Sequence, residues 1–251
     1  MRNTLPVVTI LSLSAALGGC ESHHGMVAPV ADMLKSGMVN DPNQAARLER
    51  AMTDRDIANL LDVHVRAKLP TSLAVAKLGS LCSGYQPYLH RMEAVELAAW
   101  EKVVGEQAMI RGVQPVSDLA MQDKPTLHSL RSAAARMGCE LLLAYLQSDS
   151  TVDNFNDAAV LYWTIIGLWT VPGNVMEHQT VMQAVLLDCR TGVILGTATG
   201  DAHLKRAYPA AFESQRRAEL DRQGPADALA DLQTGCRRLL KQVVEAAVAA
   251  K

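Results

Sequence analysis

The sequence lacks the short motifs by which many enzymes are recognised. It has no Gly-x-Ser-x-Gly nucleophile elbow, no GxGxxG or P-loop glycine pattern for phosphates, and no His-Glu-x-x-His zinc motif. A Cys-x-x-Cys pair is also missing, which argues against a thioredoxin-like redox centre. We therefore expect a protein without catalytic residues, cofactor or metal.

An excess of basic charge is absent as well. The 251 residues carry 24 Lys and Arg against 26 Asp and Glu, which gives a formal net charge of −2. A nucleic-acid-binding protein would need a basic patch or stripe, so we expect no nucleic acid partner. Hydrophobic residues make up 49% of the chain, which is enough for one ordinary domain with a substantial core.

The N-terminus is typical of a bacterial lipoprotein export signal. Arg2 gives a short cationic region, and residues 5–17 follow without a charge. That apolar run is shorter than the roughly 20 residues of a membrane-spanning helix. The run ends in a lipobox for signal peptidase II, which consists of Leu17, Gly18, Gly19 and Cys20. The alternative is an ordinary signal peptide in which this cysteine occurs by chance.

Cys20 is the expected site of lipidation. Each buried methylene of a diacylglyceryl or palmitate chain contributes about 0.8 kcal/mol, so several chains on one cysteine make a lasting anchor. The mature chain would then be tethered to membrane lipid without spanning the bilayer. Glu21 stands where an aspartate would retain a lipoprotein at the inner membrane, which favours the outer membrane and a domain facing the periplasm.

Four further cysteines follow, namely Cys82, Cys139, Cys189 and Cys236. The exported side of the membrane is oxidising, so one interpretation is two disulfides in any of three pairings. The other is a set of buried free thiols, because free cysteine is among the most buried residue types. The sequence leaves both interpretations open.

Composition divides the chain into four regions. After the signal at 1–19, residues 20–52 mix glycine, proline and charges and are typical of a tether. Residues 53–212 carry the strand and helix patterns of a periplasmic α/β domain. Residues 213–251 predict a C-terminal helical extension, with a polar linker or exposed helix first and an amphipathic helix from Pro225.

Hydrophobic periodicity predicts five strands and two helices in the domain. Pro115 places the second strand at an edge of the sheet, and a tight turn at 190–192 makes the last two strands a hairpin. The order β-α-β-α-β-β-β predicts an α/β (α+β) fold, in which helices pack on a mixed sheet of about five strands. The predicted strands are 69–78, 113–119, 139–152, 179–189 and 193–203, and the predicted helices are 91–104 and 126–137.

Three features of this order carry a family resemblance. They are Leu69-Pro70 before the first strand, residues 134–139 before the third, and the hairpin 185–195 with its Asp-x-x-Thr-Gly turn. Over residues 55–208 the chain resembles the curli-secretion lipoprotein (CsgG-like) family and the rhombotarget lipoproteins. The resemblance implies a sheet like the N-terminal domain of the Tol-system propeller protein, an outer-membrane address, and assembly or transport rather than catalysis. The C-terminus departs from it, since the Gly-Gly motif and apolar helix of a rhombosortase tail are missing.

The segment 158–173, between the third and fourth strands, is unusual for a connection because it carries two of the three tryptophans and no charge. In the family that the chain resembles, this connection supplies membrane-crossing strands of a ring-shaped pore, but the alternation that such strands need is absent here. A buried cover on the sheet, a partner or subunit interface, and lipid contact are the alternatives. The residues of interest are Tyr162, Trp163, Ile165, Ile166, Leu168 and Trp169.

Several pairs of titratable residues are too incomplete to make a metal or catalytic site. A zinc site needs three or four ligands, and a nucleophile needs both a base and a group that orients the base. We expect these pairs to be structural or solvated. They are His23 with His24, Glu177 with His178, Asp201 with His203, and Cys82 with His90.

Three functions are compatible with the sequence. The first is a non-enzymatic lipoprotein of the cell envelope that binds other envelope proteins. The second is a self-associating subunit of a CsgG-like secretion pore. The third, and least favoured, is a hydrolase of envelope substrates.

Overall fold

The computed structural model describes residues 67–80, 87–121, 125–163 and 165–249. The predicted signal, the lipobox, the tether and Cys82 lie outside these residues. The elements are β1 (Thr71–Ser80), β2 (Pro87–His90), α1 (Ala94–Gly105), β3 (Ile110–Pro115), α2 (Leu127–Arg136), β4 (Cys139–Phe155), α3 (Ile165–Thr170), β5 (Asn174–Asp188), β6 (Ile194–Tyr208) and α4 (Glu213–Ala249), with short 3-10 turns at Asp118–Ala120, Asp157–Trp163 and Ala210–Phe212.

The strands form one mixed sheet of six strands in the order β2-β1-β4-β5-β6, and β3 also pairs with β1. β1 is parallel to both β3 and β4, while β4, β5 and β6 form an antiparallel meander. The predicted α/β class, the edge position of the strand with Pro115 and the terminal hairpin are confirmed. The sequence analysis missed β2, because four residues are too few to show a period-2 pattern.

Helices cover both faces of the sheet at one end. On the first face, α1 and α4 pack on inward side chains such as Leu73 of β1 and Leu143 of β4. On the second face, α2 packs on Leu142 and Leu187 through Leu130 and its alanines. The first half of β4 is therefore buried on both sides, which explains its continuous apolar run.

The other half of the meander reaches beyond α2 and leaves its second face open. Ser150 pairs with Gln179, which pairs with His203, and Val152, Glu177 and Lys205 form the next row. Apart from Val152, these side chains are polar, whereas the same strands near α2 are apolar. Along β4, the sequence therefore changes from a continuous apolar run to an alternation of polar and apolar residues. The change lies where α2 no longer covers the sheet.

Local signals in the sequence position α2 and the hairpin turn. Thr126 caps α2 by accepting a hydrogen bond from the backbone N–H of Ser129 at 3.1 Å, and Gly138 ends the turn after it with φ +74°. In the hairpin turn, Gly192 has φ +75°, and the Asp188 carboxylate accepts the Arg190 N–H at 2.8 Å. The Asp-x-x-Thr-Gly pattern is therefore a structural turn motif.

The C-terminal region is one continuous helix, so of the two alternatives for residues 213–224 the helix is confirmed and the linker is wrong. α4 runs for 37 residues and continues through Pro225. Residues from Ala228 to Val243 on its inward side belong to the main core. Within the residues that the structure describes, no helix has both the length and the apolar character that crossing a bilayer would require.

Candidate functional site

Three exposed aromatic side chains lie where β4 ends, where α3 leads back to β5, and where α4 is about to begin. Phe155 is 77% exposed, Trp169 is 57% exposed and Phe212 is 37% exposed. The rings of Trp169 and Phe212 meet edge to face, with centroids 5.9 Å apart. We call Phe155, Trp169 and Phe212 the aromatic patch.

The connection that carries Trp169, residues 156–173, is held in a compact conformation by hydrogen bonds between its two ends. The Asn156 side chain donates to the Pro172 carbonyl at 2.7 Å and accepts the Ala158 N–H at 2.9 Å. The Asn156 N–H also donates to the Gly173 carbonyl at 2.8 Å. A Cβ on Gly173 would lie 2.6 Å from the Ala159 backbone, so only glycine fits there. These contacts hold the two short helical turns in one defined place.

The connection is also joined to the start of α4. The Tyr162 hydroxyl donates to the Tyr208 carbonyl at 3.4 Å, and Trp169 contacts Phe212 just before the helix. A rigid support lets an exposed aromatic ring bind a partner with little loss of conformational entropy. The contact between Trp169 and Phe212 therefore fixes these two rings relative to the start of α4.

Ion pairs stand beside the patch. Arg217 of α4 pairs with Asp153 of β4, and Glu213 lies 3.6 Å from the same guanidinium. The Tyr208 hydroxyl donates to Asp153 at 3.4 Å. An apolar centre with a polar rim is the usual composition of a protein interface.

The segment predicted as a possible interaction surface contributes Trp169 to the aromatic patch. Tyr162 and Leu168 are half-buried and Trp169 is exposed, so the segment both covers the sheet end and faces outward. The side chains of Trp163, Ile165 and Ile166 lie outside the described part of the chain. Phe155 and Phe212 were missed, although they are the only two phenylalanines in the sequence.

A buried polar cluster lies behind this end of the sheet. His178 of β5 is 1% exposed. Its Nδ1 lies 2.8 Å from the Thr151 hydroxyl, and its Nε2 lies 3.1 Å from the Thr180 hydroxyl. Thr180 donates to Asp149 at 2.7 Å, so its oxygen is free to accept from Nε2. Nε2 of His178 therefore donates to the Thr180 hydroxyl, and Nδ1 shares a hydrogen bond with the Thr151 hydroxyl.

This cluster joins the sheet to α4. Asp221 of α4 lies 3.7 Å from Nδ1 of His178, and Asp149 lies 3.9 Å from Nε2. Gly224 of α4 lies against the imidazole, where a Cβ would come within 2.6 Å of the ring. His178 thus has a packing and hydrogen-bonding role, as the sequence analysis expected for the Glu177-His178 pair.

Of the remaining predicted pairs, only Asp201 with His203 lies wholly in the described part of the chain. Asp201 and His203 share one face of β6, and His203 lies 3.9 Å from Glu177, which also binds Lys205. The hydrogen bond and charge of Lys205 lower the pKa of Glu177. His90 is exposed on β2. In the described ranges, no three His, Cys, Asp or Glu side chains are placed to hold a metal ion.

The described cysteines are buried free thiols. Cys139 and Cys189 lie in the core on the α2 side of the sheet, whereas Cys236 lies in the core on the α4 side. The sheet therefore separates Cys236 from the other two. Burial raises the pKa of the Cys189 and Cys236 thiols to about 12 and raises that of Cys139 as well. Cys82, the fourth candidate, lies outside the described residues.

We expect these three thiols to resist alkylation in the native protein. The thiolate is the reactive form, and at about pH 9 a group with a strongly raised pKa remains a thiol. The measurement is mass spectrometry after a short pulse of iodoacetamide, in a variant with Cys20→Ser and Cys82→Ser. No adduct is expected before denaturation and three after it. Rapid labelling of the folded variant would contradict the buried positions.

No protein-family model and no curated protein matches the chain. Several solved structures are similar in fold at low identity. The C-terminal domain of LpoB from Salmonella enterica is 14% identical, with a TM-score of 0.30, and the match covers 58% of this chain and 91% of that one. The PelC dodecamer from Paraburkholderia phytofirmans is 10% identical, with a TM-score of 0.34 and coverage of 71% and 94%. Lipoprotein GNA1162 from Neisseria meningitidis is 12% identical, with a TM-score of 0.30 and coverage of 61% and 97%.

Proposed function

We propose that this chain is a lipid-anchored, non-enzymatic binding component of the bacterial cell envelope. The lipobox at 17–20 supports the anchor, and Glu21 after the acylated cysteine supports an outer-membrane address. The domain then faces the periplasm and presents the aromatic patch to another envelope protein. The observation that carries the binding role is the exposure of Trp169 and Phe155 on a rigid support.

The physical reason is the free energy of burying aromatic surface. An isolated exposed apolar residue is ordinary, but a group of aromatic side chains at one end of a domain marks an interaction site. Tryptophan is enriched among the residues that dominate binding energy, typically at the centre of an interface. The Arg217–Asp153 pair beside the patch supplies the polar rim that such a centre needs.

A subunit of an oligomeric, CsgG-like secretion pore is the second candidate. It rests on the family resemblance and on the position of Trp169 in the connection from which that family builds its pore wall. In this structure the connection folds as a 3-10 turn and α3. We therefore prefer binding to a different protein over self-assembly.

Photocross-linking in the native bacterium tests the proposal. Trp169→p-benzoylphenylalanine should give a discrete cross-linked product, because the reactive ring would stand inside the interface. Leu119→p-benzoylphenylalanine is the control, since Leu119 is 99% exposed but far along the chain from the patch. Adding Phe155→Ser and Phe212→Ser should reduce the product at position 169 by about tenfold, the loss expected from removing hot-spot aromatics.

The mass of the product separates the candidates. A product heavier by the mass of another envelope protein supports the proposal. A product of twice the chain mass supports the oligomeric subunit instead. Equal and diffuse labelling from positions 169 and 119 would refute both.

A further inference from the structure

The outer edge of β6 has no pairing strand among the described residues, and α4 contacts it at Asp201. β6 pairs with β5 through Asn174↔Tyr208 to Leu187↔Ile194, and no other described strand lies on its far side. A strand at the end of a sheet presents every second N–H and C=O outward, which is a ready template for another strand. At 15 residues, this is a long open edge.

One hydrogen bond establishes which residues of β6 point outward. The Asp201 N–H donates to the Asp231 side chain of α4 at 3.2 Å, so this N–H faces away from β5. Antiparallel pairing alternates along the strand, so Thr199 and Thr197 also direct their N–H and C=O groups outward. In agreement, the Thr199 carbonyl lies 3.8 Å from the position of a Cβ on Gly235.

The helix α4 runs beside this outward edge. Gly235, Arg238, Leu239 and Gln242 lie at i, i+3, i+4 and i+7 and thus share one face of the helix. Together with Thr197, Ala198 and Thr199 they line a cavity of about 340 Å³. We call this space between residues 197–199 and residues 235–242 the edge groove.

Small residues create the edge groove. A Cβ on Gly196 would lie 2.3 Å from a methyl carbon of Leu239, and one on Gly235 would lie 3.2 Å from the Ala198 Cβ. The helix therefore lies close to the strand at Gly196 and Ala198, and the space beside these contacts is large enough for a side chain. In this arrangement, an extended peptide could pair with β6 while one of its side chains enters the cavity.

The charge of Arg238 indicates which kind of peptide the edge groove would bind. Arg238 is exposed at the groove, and within the described residues no carboxylate pairs with it. Its neighbour Arg237 differs, since it is bound to Glu106 at 2.8 Å. A free guanidinium beside an open strand edge is complementary to a carboxylate on the incoming peptide.

We propose that the edge groove binds an extended acidic segment of a partner protein by strand addition to β6. The peptide main chain pairs with the outward groups of Thr197 and Thr199, one side chain enters the cavity, and a carboxylate binds Arg238. This is the mode in which main-chain hydrogen bonds provide affinity and side-chain pockets provide specificity. It uses a surface separate from the aromatic patch and does not depend on the function proposed for that patch.

The test uses a displayed library of random octapeptides, selected on the full chain in detergent. We expect the selected peptides to be rich in β-branched residues and to carry at least one aspartate or glutamate. Thr199→Pro should weaken their binding by about tenfold, because it removes an outward N–H that β5 does not use. Thr199→Val keeps that N–H and is the matched control, with binding close to that of the unaltered chain.

Arg238 provides a second, independent pair of variants. Arg238→Glu should abolish selection of acidic peptides, whereas Arg238→Lys should retain most of the binding. Equal binding to Thr199→Pro and Thr199→Val would overturn the proposal, as would a library that yields no peptide above background. Light scattering gives the remaining outcome. A dimer that Thr199→Pro converts to a monomer would assign the open edge to a second copy of the chain and would also overturn the proposal.

Discussion

Gly200→Ala is expected to lower the free energy of unfolding by about 3 kcal/mol, which is the upper range for forcing an extra carbon into a packed interior. Gly200 lies on β6 under α4. A Cβ there would stand 2.3 Å from the Ala228 carbonyl oxygen and 2.3 Å from the Leu232 nitrogen. Both are backbone atoms of a long helix, so no side-chain rotation can relieve the contact. The helix would have to move away from the strand, which would loosen the core around Leu232.

Gly112→Ala is the control for this prediction. Gly112 also lies in a strand, β3, but a Cβ there would meet nothing within 4 Å. Its unfolding free energy should change little or rise by up to about 1 kcal/mol, because alanine has less conformational freedom in the unfolded chain. Urea denaturation followed by circular dichroism measures both variants. Similar stabilities for Gly200→Ala and the unaltered chain would mean that α4 does not lie on β6 as described.

The sequence predicted the elements whose signals are local. Thr126 and Gly138 frame α2, and the turn at 190–192 identifies the hairpin, because capping and left-handed backbone favour particular residues. Alternation and apolar runs likewise located β1, β4, β5 and β6. β4 was predicted to end too early and β5 to begin too late, since the sheet continues where one face is already polar.

The continuity of α4 could not be predicted from local rules. Proline inside a helix removes one backbone hydrogen bond and clashes with the preceding turn, so Pro225 indicated a boundary. In the structure the residues on both sides of it pack on the sheet, with Gly224 against His178 and Ala228 in the core. Tertiary packing on both sides outweighs the local cost.

The aromatic patch and the edge groove also differ in how far the sequence alone could locate them. The segment around Trp169 was found because it combines aromatic residues with an absence of charge. Phe155 and Phe212 were missed because each stands alone among polar residues, and only the fold brings them to one end of the domain. The edge groove could not be predicted at all, since it depends on which strand ends the sheet and on where α4 crosses it.

Cys20→Ser is expected to abolish lipidation completely. The cysteine thiol is the group that receives the lipid, and serine offers no thiolate to attack the donor. Cells grown with an alkynyl palmitate analogue should therefore give a labelled band for the unaltered chain and none for Cys20→Ser. Loss of the acyl chains removes about 0.8 kcal/mol for each buried methylene, so the unlipidated chain should move from the membrane pellet to the soluble fraction.

Cys82→Ser is the matched control, because it removes another thiol of the same chain and leaves the lipobox intact. It should keep both the label and the membrane association. A label that persists in Cys20→Ser would place the acyl chain elsewhere. Absence of label from the unaltered chain would remove the anchor, and with it the reason to place the aromatic patch at an envelope membrane. The proposal therefore assigns location to the lipid expected at Cys20 and partner binding to the aromatic patch.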